Sequence, residues 1–114
     1  EWHICGRGFV FNKEERDADR EIARRGFELA REKVLSDAFD LIVFDEITYL
    51  PQYGFLEVEK IVELIEARPP RLNVILTGRN ADAAIIRIAD TVTVMEPEKH
   101  AYDLGIKAQK GIEF

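Results

Sequence analysis

A single cysteine, Cys5, stands among 114 residues, so no internal disulfide can form, and a small buried or half-buried strand residue is its expected role. His3 and His100 have no Cys or His partner at ligand spacing, which removes a zinc signature. No run approaches the roughly 18 apolar residues of a membrane span, and no signal-peptide pattern opens the chain. A cytoplasmic protein without membrane contact is the default expectation. Basic residues number 16 against 22 acidic ones, a net charge of −6, which argues against a general nucleic-acid surface. Internal repeats and low-complexity tracts are missing, and so is a G-x-x-x-x-G-K-[ST] phosphate loop. Gly6-Arg7-Gly8 lacks the Gly-Lys-Thr that would make it a substitute. The opening Glu1-Trp2-His3 has no initiator Met and leads almost at once into a strand-like segment, so the chain reads as the later part of something longer.

What is present is a core-forming pattern. Hydrophobic residues make up 46% of the chain and charged ones 33%, suited to one globular domain over residues 1–114. Its organising stretch is Asp40-Leu41-Ile42-Val43-Phe44-Asp45-Glu46. Four apolar residues without a polar break predict a strand over 40–45, buried on both faces between helix layers. Before it, Ala23, Phe27, Ala30 and Val34 repeat at helical spacing and predict a helix over 14–36. Its arginines 16, 20, 24, 25 and 31 fall on the wet side. Residues 47–55 carry Pro51 and Gly54 and are expected to be irregular. Val58, Ile61, Val62 and Ile65 predict a helix over 56–67, stopped by Arg68-Pro69-Pro70. Leu72–Thr77 reads as a second buried strand, Asn80 or Asp82 as the cap of a short helix to about Ala89, and Thr91–Met95 as a third strand. The alternation implies a three-layer α/β domain with a mostly parallel sheet.

Ligands of such sheets bind beyond the C-terminal ends of the strands. Asp45 and Glu46 lie there, and a carboxylate pair suits Mg²⁺, a hard cation that takes oxygen ligands; the pair also reads as a helix N-cap with an exposed acid. Thr77-Gly78-Arg79 ends the next strand on the same edge. Glycine admits close backbone approach and arginine can grip phosphate in a bidentate fork, or the segment is a turn with a solvated arginine. Phe9, Phe11, Tyr49, Tyr53 and Phe55 cluster in irregular segments, either as core or as the wall of a flat apolar ligand site. Lys99-His100-Ala101-Tyr102-Asp103 reads as a segment closing over a nucleotide or as a packed C-terminal arm.

Several stretches resemble, in order and spacing, the P-loop-type ATP:corrinoid adenosyltransferases. They are Gly8-Phe9-Val10-Phe11, Phe44-Asp45-Glu46-Ile47-Thr48-Tyr49, Ala67-Arg68-Pro69, Val74 through Asn80, Ala89-Asp90-Thr91-Val92 and Lys99 through Phe114. The final block, ending Gly-Ile-Glu-Phe, is the most specific. The resemblance implies a RecA-like P-loop fold and transfer of the 5′-deoxyadenosyl group of ATP to Co(I) of a corrinoid with release of triphosphate. It also implies Mg²⁺, a homodimer and an electron donor such as a reduced flavoprotein. By motif, Asp45 and Glu46 fall at the metal site, Phe9 and Phe11 on the aromatic pair facing the corrinoid, and Thr77, Gly78 and Arg79 on the nucleotide segment. Family members begin with a strand, a phosphate loop, a helix and another strand that these residues do not include. A fragment stripped of ATP binding would leave a non-catalytic corrinoid-binding or assembly module as the alternative.

Overall fold

The computed structural model describes residues 1–6 and 13–111, with side chains described from residue 16 in the first helix onward. Helix α1 spans Lys13–Leu35 and β1 spans Leu41–Phe44; a single turn, α2, covers Tyr49–Gln52. Then come α3 at Val58–Glu66, β2 at Asn73–Leu76 and α4 at Ala83–Ile88, with a 3-10 turn at Ala101–Leu104.

The apolar stripe of α1 does what its spacing dictates. Ala23, Phe27 and Val34 are buried, Val34 completely, while the five arginines stay exposed. Three of these pair along the helix, Arg20 with Asp17 at 3.8 Å, Arg25 with Glu21 at 2.9 Å and Arg31 with Glu28 at 3.9 Å. Helix α3 buries Ile61, Leu64 and Ile65; Leu64 lies on the inner face although the sequence stripe omits it. Asp82 caps α4, its Oδ1 accepting the Ala84 N–H at 2.8 Å. These helices share one core with the strands. Phe27, Val34, Ile47, Ile61, Leu64, Ile65, Leu72 and Ile85 form its centre, and Ile42, Phe44, Val74 and Leu76 pack against it.

Strands β1 and β2 pair in parallel, Leu41 opposite Asn73 through Phe44 opposite Leu76. Period-two alternation then separates the two sheet faces. Ile42, Phe44, Val74 and Leu76 face the core; Leu41 is 51% exposed, Val43 53% and Ile75 48%. The expectation of a strand buried on both faces is therefore corrected. Among the described residues all helices that join the core lie with its one apolar cluster, so the arrangement has two layers instead of three. The third strand is corrected as well. Thr91–Met95 has strand composition but forms no strand, because β-branched residues become a strand only where a neighbouring chain pairs their N–H and C=O groups. The whole of residues 91–111 is exposed. Cys5 departs similarly: it is exposed and outside any strand. It lies on Gly26 of α1, where an added Cβ would come within 2.5 Å of the Cys5 Cβ.

At the N-terminal edge of the sheet, Arg71 fastens the loops before the two strands. Its Nε donates to Asp37 Oδ1 at 2.8 Å and its Nη1 to Asp40 Oδ1 at 2.7 Å, and Nη2 donates to the Asp37 carbonyl. Bonding to Asp37 first, and Asp40 after it, pushes the guanidinium pKa up. At the opposite edge, Gly78 leaves β2 at φ +139°, and a Cβ there would lie 1.9 Å from the Thr48 hydroxyl oxygen. Thr48 is buried and cannot swing clear.

Two outcomes follow for the full-length protein. Gly78→Ala combines a strained backbone with this clash and should cost about 2–3 kcal/mol in denaturant unfolding. Adding Thr48→Ala should return part of that loss, giving a coupling that two independent sites would not show. Arg71→Met should lower the melting temperature, with Arg71→Lys in between because it keeps the charge without the fork. A raised basic pKa holds its stabilisation until pH climbs through the folded value, so the Arg71→Met deficit should be as large at about pH 10 as at about pH 7.

Candidate functional site

Parallel pairing brings the C-terminal ends of β1 and β2 side by side, and the Thr77 N–H extends the ladder by donating to the Phe44 carbonyl at 3.0 Å. Asp45 and Thr77 are consequently neighbours. The Thr77 hydroxyl donates to Asp45 Oδ1 at 2.6 Å and accepts the Glu46 N–H at 2.9 Å. One hydroxyl has the donor and lone pairs to serve both. It orients the Asp45 carboxylate and fixes the backbone that carries Glu46. Glu46 itself has φ +58°, a left-handed turn that bulky residues seldom adopt. Both acids are exposed.

A second set of bonds holds the exit of β2. The Thr48 hydroxyl donates to the Arg79 carbonyl at 2.9 Å, and Gln52 Nε2 donates to the same carbonyl at 2.5 Å. Gln52 Nε2 also lies 3.0 Å from the Thr48 carbonyl and 3.4 Å from that of Asn80. The segment 77–80 is thus fixed through its backbone, which leaves the Arg79 guanidinium without a side-chain partner among the described residues. Thr48 and Gln52 were not singled out by sequence reasoning. Their i, i+4 spacing beside the acid pair was the available signal, hidden inside a segment that Pro51 marks as irregular.

The structure therefore brings Asp45, Glu46, Thr77, Gly78 and Arg79 to one edge. The Thr77 hydroxyl is engaged there by the Asp45 carboxylate and the Glu46 N–H. Asp45 caps no described helix; the N-cap of α2 is Thr48, so only the exposed-acid half of the alternative reading stands. Tyr49 and Tyr53 stack with centroids 5.7 Å apart and planes 12° from parallel, and Phe55 continues the row 5.8 Å from Tyr53. Phe9 and Phe11, the predicted corrinoid contacts, lie outside the described residues. Lys99 to Asp103 does not pack as an arm, being exposed throughout. His100 Nδ1 instead accepts the Tyr102 N–H at 3.1 Å.

No group of three or more His, Cys, Asp or Glu side chains converges among the described residues. A site made only of protein ligands is thereby unsupported there, whereas two adjacent carboxylates at a strand end fit a cation that takes one or two from protein and the rest from phosphate and water. Asp45 suits this donor set because Thr77 occupies only Oδ1, and no side chain among the described residues donates to Oδ2. Asp45 and Glu46 are the residues at this edge that could hold such a cation.

Comparison with known proteins covers the same ground. Residues 1–114 match the family described as ATP:corrinoid adenosyltransferase BtuR/CobO/CobP. The chain is 34% identical over 114 residues to a corrinoid adenosyltransferase of Escherichia coli strain K12, covering all of this chain and 58% of that protein. It is 38% identical over 113 residues to a corrinoid adenosyltransferase of Pseudomonas aeruginosa, covering 99% of this chain and 56% of the relative. Identity to the corrinoid adenosyltransferase CobA of Salmonella typhimurium is 34%, again across 58% of that protein. The chain spans somewhat over half the length of these curated relatives. With the match running through every residue from 1 to 114, the chain belongs to the ATP:corrinoid adenosyltransferase family.

Proposed function

We propose that the protein containing these residues transfers the 5′-deoxyadenosyl group of ATP to Co(I) of a corrinoid in adenosylcobalamin synthesis or salvage. The observation that carries this reading is the family match over the whole chain, together with relatives named for that activity. In the step, the Co(I) electron pair forms a bond to C5′, the C5′–O bond breaks, and its pair leaves with triphosphate. The metal centre of the corrinoid is substrate here, and the protein's task is to position and to stabilise charge.

Asp45 and Glu46 are the residues that would hold Mg²⁺. When bound, that ion neutralises charge on the departing triphosphate. Thr77 keeps the Asp45 carboxylate in one orientation through its 2.6 Å bond. Gly78 brings backbone close to the nucleotide, and the Arg79 guanidinium, without a side-chain partner among the described residues, adds a donor for phosphate oxygens. Phe9 and Phe11 press on the corrinoid face, an assignment by motif alone; the family often has Trp at the second position, and Phe11 keeps the apolar face. A RecA-like sheet extended by a phosphate-loop segment, a cytoplasmic homodimer and a reduced flavoprotein as electron donor complete the reading. The exposed face at Leu41, Val43 and Ile75 leaves room for a covering helix layer, because parallel sheets are ordinarily covered on both sides.

Anaerobic incubation of the full-length protein with reduced corrinoid, ATP and Mg²⁺ tests it. Adenosylated corrinoid and triphosphate should form one to one; ADP and phosphate in their place would sink the proposal. Thr77→Val deletes both bonds of the hydroxyl and should reduce turnover about 10–100-fold, the range for losing a group that orients a metal ligand. Thr77→Ser should stay within about threefold of wild type. Asp45→Asn should raise the Mg²⁺ concentration for half-maximal rate about tenfold or more, read by metal titration at fixed ATP.

A further inference from the structure

Gln52 ends the single turn α2, and its side-chain amide reaches backbone far outside that turn. Nε2 lies 2.5 Å from the Arg79 carbonyl, 3.0 Å from that of Thr48 and 3.4 Å from that of Asn80. Three carbonyl oxygens can face only the NH2 end of the amide, which fixes its orientation. Its two hydrogens serve the two nearer acceptors, and the Asn80 contact is the weakest.

The segment that receives these bonds is not one that holds its own shape. Gly78 has φ +139° and Asn80 φ +49°, so Arg79 stands between two residues at positive φ, a sparsely populated region. Backbone of this kind persists only where its surroundings hold it. The Arg79 carbonyl is held twice, by the Thr48 hydroxyl at 2.9 Å and by Gln52. With both lone pairs engaged, the peptide plane after Arg79 has one orientation, and that plane helps set where the Arg79 side chain starts. Thr48 is buried and anchors the edge. Gln52 is exposed, and a neutral hydrogen bond there adds little to global stability. Its effect is therefore local, on the direction of Arg79.

We infer that Gln52 is a positioning residue for ATP, holding the Arg79 carbonyl so that the Arg79 guanidinium meets the triphosphate. This rests on the adenosyl-transfer reading above and on the place of Arg79 in it. Thr77, on the other side of Gly78, serves the acids through its own hydroxyl. Gln52 thus governs the phosphate grip and leaves the cation side to Thr77. Triphosphate is charged before and after the C5′–O bond breaks, so loss of the grip falls on KM for ATP more than on turnover.

The test uses the full-length protein, Gln52→Met, Gln52→Glu, Arg79→Met and the double variant Gln52→Met/Arg79→Met, each confirmed folded by thermal melting. Gln52→Met should raise KM for ATP about fivefold, the scale of one lost hydrogen bond. Turnover number, KM for corrinoid and the Mg²⁺ concentration for half-maximal rate should stay within about twofold. Gln52→Glu keeps the shape but turns an oxygen onto the carbonyls, and its KM for ATP should rise at least as far. In the Arg79→Met background, Gln52→Met should change KM for ATP by less than about twofold, because its target is gone. An undiminished effect in that background, no rise in KM for ATP, equal rises for corrinoid and Mg²⁺, or a Gln52→Glu that matches wild type would overturn the inference. So would an Arg79→Met with the wild-type KM for ATP. Equilibrium dialysis of Mg-ATP reads the same cycle as Kd, without turnover. A wild type that binds Mg-ATP yet transfers no adenosyl group sinks the function and leaves Gln52 to be judged on Kd; one that binds no Mg-ATP sinks both.

Discussion

Four rungs of parallel ladder between β1 and β2 set the position of everything else. Parallel pairing aligns like ends of the strands, so the residues that follow Phe44 and those that follow Leu76 must meet. An antiparallel pair would have sent Asp45 and Thr77 to opposite edges. Given the register, the Thr77 hydroxyl reaches Asp45 and the Glu46 N–H at hydrogen-bond distance, and the Thr48–Gln52 clamp closes on the next two carbonyls. The other edge repeats the logic with charge, where one guanidinium ties the entry loops of both strands. The strands are short, yet both ends of the pair are fastened by side chains outside the ladder.

How far this could be read from sequence depended on whether a signal was local. The repeat Ala23, Phe27, Val34 contains its own answer, because helical hydrogen bonds close within the segment, and α1 appears within one residue of its expected limits. Leu72–Thr77 and Asp40–Asp45 were legible as strands for another reason: each supplies the other's partner. Thr91–Met95 looked equally strand-like and is not one, since its pairing depends on chain that sits nowhere beside it among the described residues. The same dependence explains the exposure of Leu41, Val43 and Ile75. Hydrophobic pattern states what a residue is suited to contact, and it does not guarantee that the contact is there.

The candidate site was legible at the level of residue choice and illegible at the level of connection. Asp45, Glu46, Thr77, Gly78 and Arg79 could be collected because each stands at a strand exit. That Thr77 would spend its hydroxyl on the acids, or that Gly78 would need to be bare against Thr48, requires knowing the distance between residues remote in sequence, which depends on β2 lying beside β1. Gln52 was invisible for the same reason. Its partners at Arg79 and Asn80 are remote in sequence, and its own turn contains a proline.

The left-handed backbone at Glu46 has one further consequence. At φ +58° a glycine would adopt the turn without penalty, whereas a residue with a side chain carries a strain of about 1 kcal/mol or more. Geometry alone would thus be better satisfied by removing the side chain. The turn has a glutamate despite that, and no hydrogen bond or ion pair of its side chain among the described residues offsets the strain.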